Sequence, residues 1–166
     1  TKIAPDKASF ASQLKLLMAY MAHNEQPTAE AEAELELIEA EQSDTKVQKT
    51  ILVIEDSSTT RKVIYIALAR NGYRVVEAAD GLEALSKISE ERPDLIMLDV
   101  ILPKMDGYKI LSIIKGNTEF KDIPVIMLTS KDGFINKMKG KMAGSAAYLT
   151  KPFDPDEMIA EIHRHI

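Results

Sequence analysis

The sequence predicts an α/β protein with a doubly wound, five-stranded parallel sheet, preceded by an α-helical N-terminal extension. From Thr50 onward, short apolar runs alternate five times with amphipathic segments, which is typical of a parallel sheet with helices on both faces. Residues 1–46 lack this alternation and hold four basic and nine acidic side chains, whereas residues 47–166 hold seventeen of each. We therefore expect an acidic helical extension or linker over 1–46 and a main domain over 47–166.

Two predicted elements of the main domain begin with a clear local signal. Pro124 opens the fourth apolar run, where a missing amide is well tolerated. Asp154, Pro155 and Glu157 form a helix start, with an acidic N-cap, proline in the first helical position and glutamate three residues after the cap. The predicted strands are residues 51–54, 74–78, 95–98, 124–128 and 146–149. The predicted helices are residues 58–71, 81–91, 106–116, 132–143 and 155–165.

Two further helices are expected in the extension. Phe10, Leu14, Leu17 and Met21 form one apolar stripe, which predicts a helix over residues 7–23. After the break at Pro27, the Ala/Glu-rich residues 28–42 predict a polar helix with a narrow apolar face. This second helix fits either a linker or tether, or a short dimerisation arm.

The composition of the chain limits its expected cellular location and its expected binding partners. The chain has no cysteine, no signal-like start and no apolar stretch near the roughly 20 residues that span a bilayer. We therefore expect a soluble protein of the reducing cytoplasm. The balanced charge of the main domain gives no reason to expect direct contact with nucleic acid or an anionic membrane, since both attract concentrated Lys and Arg.

Polar side chains follow four of the five predicted strands. Glu55 and Asp56 follow the first strand, Asp99 the third, Thr129 the fourth and Lys151 the fifth. Ligands of an open parallel sheet gather at the carboxyl ends of its strands. Adjacent carboxylates that are partly removed from solvent need a basic partner or a metal cation. The sequence therefore predicts one charged site at this edge.

These residue types suit phosphoryl transfer. Carboxylates of Asp56 and Asp99, together with water and a backbone carbonyl, match the ligands that Mg²⁺ prefers. Lys151 supplies a second positive charge and Thr129 a hydrogen-bond donor, which together would stabilise a phosphoryl group during transfer. Asp99 is the candidate nucleophile, forming an acyl phosphate.

The motifs around these residues resemble the receiver domain of two-component response regulators, which implies a flavodoxin-like, CheY-like fold. The resemblance covers residues 48–166, with the motifs in the family's order. Residues 131–134 and 139–145 are most similar to receivers of twitching-motility and phototaxis regulators. The motifs are Val-Ile-Glu-Asp at 53–56, Asp-Leu-Ile-Met-Leu-Asp at 94–99, Leu-Pro-Lys-Met-Asp-Gly at 102–107, Pro-Val-Ile-Met-Leu-Thr-Ser at 124–130 and Tyr-Leu-Thr-Lys-Pro-Phe at 148–153.

The resemblance assigns a role to each residue of the site. Asp99 resembles the phosphoacceptor, which takes a phosphoryl group from the phosphohistidine of a sensor histidine kinase or a phosphotransfer protein. Glu55, Asp56 and Asp99 resemble the Mg²⁺ site, completed by the backbone carbonyl of Ile101. Lys151 resembles the lysine that pairs with the phosphoryl oxygens. The family's members are signalling modules that catalyse only their own phosphorylation and dephosphorylation.

The resemblance also implies a conformational switch. Thr129 would move toward the phosphoryl group while Tyr148 turns inward. This movement would remodel an output surface made by the helix over 132–143, the fifth strand and the last helix, where an output partner is expected to bind. A homodimer is a further expected assembly. The Lys151–Pro152 peptide bond is expected to be cis, as is usual in the family.

Two positions depart from the commonest family pattern. Glu55 stands where aspartate is commoner, and its longer side chain is expected to reach the metal through water, leaving the direct contact to Asp56. Ile101 and Lys131 occupy the positions that tune the lifetime of the phosphoryl group. Because the side chain of Ile101 is apolar and cannot orient an attacking water, we expect slow self-dephosphorylation.

Two other functions are compatible with parts of the sequence. A flavodoxin-like FMN carrier would use the hydroxyls of residues 57–60, but Glu55 and Asp56 would repel the FMN phosphate and the loop lacks glycine. A hydrolase with an aspartyl-phosphate intermediate would need an Asp-x-Asp pattern, whereas Val100 and Ile101 follow Asp99.

Overall fold

The structure, a computed structural model, describes Ala33 and residues 48–130 and 144–166. Within these residues, five strands form one parallel sheet and four helices pack against it. The strands are β1 (Thr50–Ile54), β2 (Arg74–Ala78), β3 (Leu95–Asp99), β4 (Val125–Thr129) and β5 (Ala147–Thr150). The helices are α1 (Ser58–Arg70), α2 (Gly81–Glu91), α3 (Gly107–Gly116) and α4 (Pro155–His163).

All five predicted strands and four of the predicted helices are confirmed, with ends that differ by at most two residues. The last helix begins as expected, with Pro155 in its first turn and the side chain of Asp154 accepting a hydrogen bond of 2.9 Å from the amide of Asp156. The helices predicted over 7–23, 28–42 (apart from Ala33) and 132–143 lie outside the described residues, so the helical extension stays a prediction.

The sheet has the strand order β2-β1-β3-β4-β5, and all its neighbouring strands are parallel. The chain first runs outward from β1 to β2 and then crosses back to continue from β3 in the other direction. The strand order therefore reverses between β1 and β3, and a crevice opens outside their carboxyl ends. Polar side chains at the ends of these two strands meet in that crevice.

The central strands β1, β3 and β4 are buried along their whole length. Because successive side chains of a strand point to opposite faces, each strand contributes to two cores. Ile51 and Val53 pack on the face covered by α1 and α4, whereas Leu52 and Ile54 pack on the face covered by α2 and α3. Helices thus cover both faces, which confirms the doubly wound architecture. No helix of residues 48–130 or 144–166 has the length and hydropathy needed to cross a membrane.

Helix α3 starts in close contact with the end of β3. The Asp106 carboxylate caps the helix by accepting a hydrogen bond of 2.9 Å from the amide of Lys109. The amide of Gly107 donates to the carbonyl of Val100 at 2.9 Å. A Cβ atom on Gly107 would lie 2.2 Å from the carbonyl oxygen of Asp99. Only glycine lets the helix approach the strand end this closely.

We expect Gly107→Ala to lower the free energy of unfolding by about 3 kcal/mol, which is the upper end of the usual cost of overpacking. The cost is high because the added methyl group meets backbone atoms, which cannot move aside as a flexible side chain can. Chemical denaturation measures the change. The matched control is Gly116→Ala at the other end of α3, where an added Cβ meets nothing within 4 Å. The control should be neutral or stabilising by up to about 1 kcal/mol. Equal effects of the two substitutions would contradict the close-approach argument.

Candidate functional site

The carboxyl edge of the sheet brings together the predicted strand-end residues. Asp99 is the last residue of β3, and Glu55 directly follows β1. Because Ile54 pairs with Leu98 in the parallel register, Glu55 and Asp99 emerge side by side. Thr129 ends β4, and Lys151 directly follows β5. Sheet topology alone therefore assembles a site from residues that are up to 96 positions apart in the chain.

Lys151 bridges the two buried carboxylates. Its ammonium group donates to Oε2 of Glu55 and, at 3.0 Å, to Oδ2 of Asp99. Glu55 is 1% exposed and Asp99 6% exposed, while the side chain of Lys151 keeps 28% of its surface in solvent. The bridge neutralises part of the negative charge that the two strands deliver.

Glu55 is held rigidly by the start of α1. Its second carboxylate oxygen, Oε1, accepts a hydrogen bond of 3.2 Å from the amide of Ser57. Its carbonyl accepts one of 2.6 Å from the guanidinium of Arg61, which also lies 3.4 Å from a carboxylate oxygen of Glu77 on β2. Both carboxylate oxygens of Glu55 therefore already have a donor.

Hydrogen bonds of the backbone that follows β3 fix the position of Asp99. Oδ1 accepts a hydrogen bond of 3.1 Å from the amide of Ile101. The side chain of Ile101 is 71% exposed and lies outside the core. The amide of Val100 donates to the carbonyl of Leu128 at 3.0 Å, which fixes the backbone after Asp99 to β4.

The neighbouring strands position Lys151 and Thr129. The amide of Lys151 donates to the carbonyl of Thr129 at 2.7 Å, and the Lys151–Pro152 peptide bond is cis, as expected. Thr129 is 2% exposed, and its hydroxyl donates to the carbonyl of Ser130 at 3.3 Å. The threonine thus lies at the edge of the site with its hydroxyl bound to backbone.

Burial decides the direction of the pKa shift of Glu55, whereas the neighbouring carboxylates decide that of Lys151. Desolvation raises the pKa of Glu55 to about 7, and the adjacent Asp99 adds to this shift, while Lys151 opposes it. Burial alone would lower the pKa of Lys151, but the nearby Glu55 and Asp99 together outweigh this effect and raise it. The lysine is therefore held in its charged form. Because Glu55 and Asp99 share this one ammonium group, a second positive charge would further stabilise the site.

The donor set fits a hard divalent cation. Glu55, Asp56 and Asp99 each offer a carboxylate oxygen, and these three atoms lie within 4.8 Å of one another. Asp56 is exposed, unlike the other two acids. All-oxygen ligands with an open, solvent-facing side are what Mg²⁺ prefers, because this ion keeps several of its waters.

The side chain of Tyr148 lies on the face covered by α2 and α3. Its hydroxyl is 3.4 Å from that of Tyr108 in the first turn of α3. Sequence reasoning singled out neither Tyr108 nor Arg61, and it quoted Gly107 only as part of the motif at 102–107, without its contact to Asp99. The Asp-Gly pair at 106–107 was a usable signal for the close approach, whereas neither Tyr108 nor Arg61 carries a local pattern that predicts its partner.

Comparisons with known proteins point to one family. The family model described as the response regulator receiver domain matches residues 51–163. Protein PilG of Pseudomonas aeruginosa is 44% identical over 116 residues, covering 70% of this chain and 86% of that protein. PhoP of Bacillus subtilis, the alkaline phosphatase synthesis transcriptional regulatory protein, is 40% identical over 116 residues, covering 70% of this chain. The chain spans 48% of the length of PhoP.

Two solved structures with a similar fold are a response regulator and the receiver domain of another. The chemotaxis response regulator CheY4 of Vibrio cholerae is similar with a TM-score of 0.68 and 32% identity, over 72% of this chain and all of that one. The receiver domain of the Francisella response regulator 1452 is similar with a TM-score of 0.66 and 34% identity, over 70% of this chain and 95% of that one. These matches favour the receiver-domain family over the FMN-carrier alternative.

At a pH well above 7, where Glu55 is charged although burial raises its pKa to about 7, removing the bridging cation should leave two facing carboxylates without compensation. In metal-free buffer with a chelator, we expect Lys151→Met to lower the free energy of unfolding by about 2 kcal/mol, less than for a fully buried pair because the lysine is partly exposed. Adding Glu55→Gln should recover at least about 1 kcal/mol of this loss, since one of the two charges is then absent. Denaturation of both single variants and the double variant measures the coupling.

The control is Arg164→Met, which breaks an exposed ion pair of 2.6 Å with Glu161. This loss should stay within about 0.5 kcal/mol. Strictly additive effects of Lys151→Met and Glu55→Gln would contradict the bridging role.

Proposed function

Because the chain belongs to the response regulator receiver domain family, we propose that Asp99 accepts a phosphoryl group from a phosphohistidine. The donor is a sensor histidine kinase or a phosphotransfer protein, and the exchange takes place in the cytoplasm. The single observation that carries this proposal is the cluster at the sheet edge, where Lys151 contacts the carboxylate of Asp99 at 3.0 Å beside Glu55.

The proposed reaction is an in-line transfer. A carboxylate oxygen of Asp99 forms a bond to phosphorus while the bond between phosphorus and the imidazole nitrogen of the donor breaks. The imidazole keeps the electron pair of that bond and takes up a proton. The main tasks of the site are to position the two reactants and to stabilise negative charge on the phosphoryl oxygens.

Glu55, Asp56 and Asp99 are the residues that would hold Mg²⁺, with the backbone carbonyl of Ile101 as a further ligand. The ion would supply positive charge next to the phosphoryl oxygens. The direct contacts are assigned to Asp56 and Asp99, because both carboxylate oxygens of Glu55 accept hydrogen bonds from protein groups. Glu55 would then act through a water of the ion.

Lys151 and Thr129 would stabilise the product. The ammonium of Lys151 is close enough to Asp99 to exchange part of its present pairing for a phosphoryl oxygen. Thr129 would release its bond of 3.3 Å to the carbonyl of Ser130 and donate to the phosphoryl group instead. Breaking a hydrogen bond of this length costs little, so the exchange suits a switch.

The output is proposed to be a change in partner binding. Movement of Thr129 and Tyr148 would alter the surface of β5 and α4, together with the helix that the sequence predicts over residues 132–143. This surface would contact an output partner or a second copy of the chain. The similarity of residues 131–134 and 139–145 to receivers of motility regulators supports a role in motility signalling.

The acceptor assignment predicts a single labelled residue. Incubation with acetyl phosphate and Mg²⁺ should label the wild-type chain, and Asp99→Asn should abolish labelling because an amide oxygen is too weak a nucleophile to replace the carboxylate. Labelling should also be lost when a chelator removes Mg²⁺. Asp122→Asn, at an exposed acidic residue, is the control and should label like wild type. Undiminished labelling of Asp99→Asn would overturn the assignment.

The exposed apolar side chain at position 101 predicts a long-lived phosphoryl group. Ile101→Asn should speed the loss of the label about two- to tenfold, because an amide beside Asp99 can hydrogen-bond an attacking water. Decay is followed after removal of acetyl phosphate. Ile113→Asn replaces another exposed isoleucine, on α3, and should leave the decay unchanged. Equal decay rates for Ile101→Asn and wild type would contradict this role.

A further inference from the structure

The backbone carbonyl of Glu55 lies just past the paired part of β1. The pairing of β1 with β2 and with β3 ends at Ile54. Because Glu55 is 1% exposed, its carbonyl needs a hydrogen-bond donor from the protein. The guanidinium of Arg61 is that donor, with a hydrogen bond of 2.6 Å.

The position of Arg61 in the first turn of α1 directs its side chain toward this carbonyl. Helical side chains point toward the start of their helix, which here lies next to the end of β1. The Nε atom of Arg61 also lies 3.4 Å from a carboxylate oxygen of Glu77 on β2, and the arginine side chain is 19% exposed. The planar guanidinium can serve both oxygens at once. Arg61 therefore connects the start of α1 to the ends of β1 and β2.

The Glu55 carbonyl matters because it belongs to the peptide group that carries Asp56. A peptide group is planar, so holding the carbonyl of Glu55 also orients the amide of Asp56. The amide of Glu55 is fixed as well, since it donates to the carbonyl of Ala78 at 3.1 Å. The carboxylate of Asp56 is exposed and lies within 4.8 Å of those of Glu55 and Asp99. The direction of this carboxylate therefore depends on the backbone that Arg61 holds.

We propose that Arg61 is a positioning residue of the metal site, which orients the Glu55–Asp56 peptide so that Asp56 directs its carboxylate toward the cation. The inference rests on the proposed function, which assigns the direct contacts with Mg²⁺ to Asp56 and Asp99. Arg61 contacts neither of these carboxylates and acts through the backbone of Glu55. Loss of a group that orients a metal ligand typically weakens metal binding about tenfold or more.

The charge of Arg61 allows orientation to be separated from electrostatics. A positive charge near a metal site repels the metal ion, so removing that charge should tighten Mg²⁺ binding if charge alone matters. Loss of orientation should weaken binding instead. Because Arg61 pairs with Glu77, replacing both by neutral side chains leaves the net charge unchanged and isolates the effect of orientation.

The test compares Mg²⁺ binding by wild type, Glu77→Gln, and the charge-neutral double variant Arg61→Met with Glu77→Gln. Titration with MgCl₂, without a phosphodonor, is followed by the backbone amide resonances of the folded protein, so partial unfolding does not alter the Kd obtained. The Kd for Mg²⁺ should rise about tenfold in the double variant. It should change much less in Glu77→Gln, where Arg61 still donates to the carbonyl of Glu55.

A second readout uses the metal-free protein. The carbonyl ¹³C resonance of Glu55 should shift in the double variant, because its hydrogen bond from Arg61 is lost. In Glu77→Gln this resonance should stay close to its wild-type position. The resonance reports on the hydrogen bond itself and does not depend on metal binding.

The matched control is a second double variant, Arg74→Met with Glu91→Gln. This pair also joins an arginine and a glutamate, at 2.7 Å, and the arginine likewise reaches an oxygen of β1, the hydroxyl of Thr50 at 3.5 Å. It lies at the starts of β1 and β2, at the opposite edge of the sheet. The control should change neither the Kd for Mg²⁺ nor the carbonyl resonance of Glu55.

If wild type binds Mg²⁺ and the Arg61 double variant binds it equally well or more tightly, the inference is overturned and the proposed function stands. An equal loss of binding in Glu77→Gln alone would also overturn the inference, because the ion pair and not the carbonyl bond would then be responsible. If wild type binds no Mg²⁺, the metal site of the proposed function fails, and the Glu55 resonance alone decides whether Arg61 orients this peptide. An unshifted resonance in the double variant would overturn the orienting role in either case.

Discussion

The ammonium group of Lys151 is the interaction on which the rest of the site depends. It contacts two carboxylates, those of Glu55 and Asp99, that the sheet delivers side by side and almost entirely buried. Two such charges repel each other and lose their hydration, and each would be costly without a cation. Because a single flexible lysine neutralises only part of this charge, a metal cation and a phosphoryl group can still bind. This suits a site that binds and releases ligands.

The residues around this cluster are of two kinds. Those that must hold the reactants in position are firmly bonded, and those expected to move in the switch are weakly bonded. The carboxylate of Glu55 and the backbone at Asp99 are fixed by hydrogen bonds to amides and by the close approach of Gly107. Thr129 and Tyr148, by contrast, make long hydrogen bonds of 3.3 and 3.4 Å. Weak contacts of this kind can exchange partners at low free-energy cost.

Much of this could be predicted from sequence because hydrophobic periodicity determines which elements form, and the parallel topology brings the strand ends together. The strand-end positions of Asp99 and Lys151 follow directly from that logic. The pairing of Lys151 with Glu55 does not, since a lysine side chain has several carboxylates within reach. The contact between Tyr108 and Tyr148 was also not predictable, because it depends on how α3 is oriented over the sheet. Strand ends shifted by one residue because backbone hydrogen bonds, not side-chain pattern, set them.

Chemical mapping of the phosphoryl group tests the central claim most directly. After labelling with acetyl phosphate and Mg²⁺, borohydride reduces an aspartyl phosphate to homoserine, and mass spectrometry of the peptides locates the changed residue. The account predicts homoserine at position 99 and at no other acidic residue. A reduced residue at Glu55 or Asp56, or a label that resists borohydride and maps to a histidine, would contradict it.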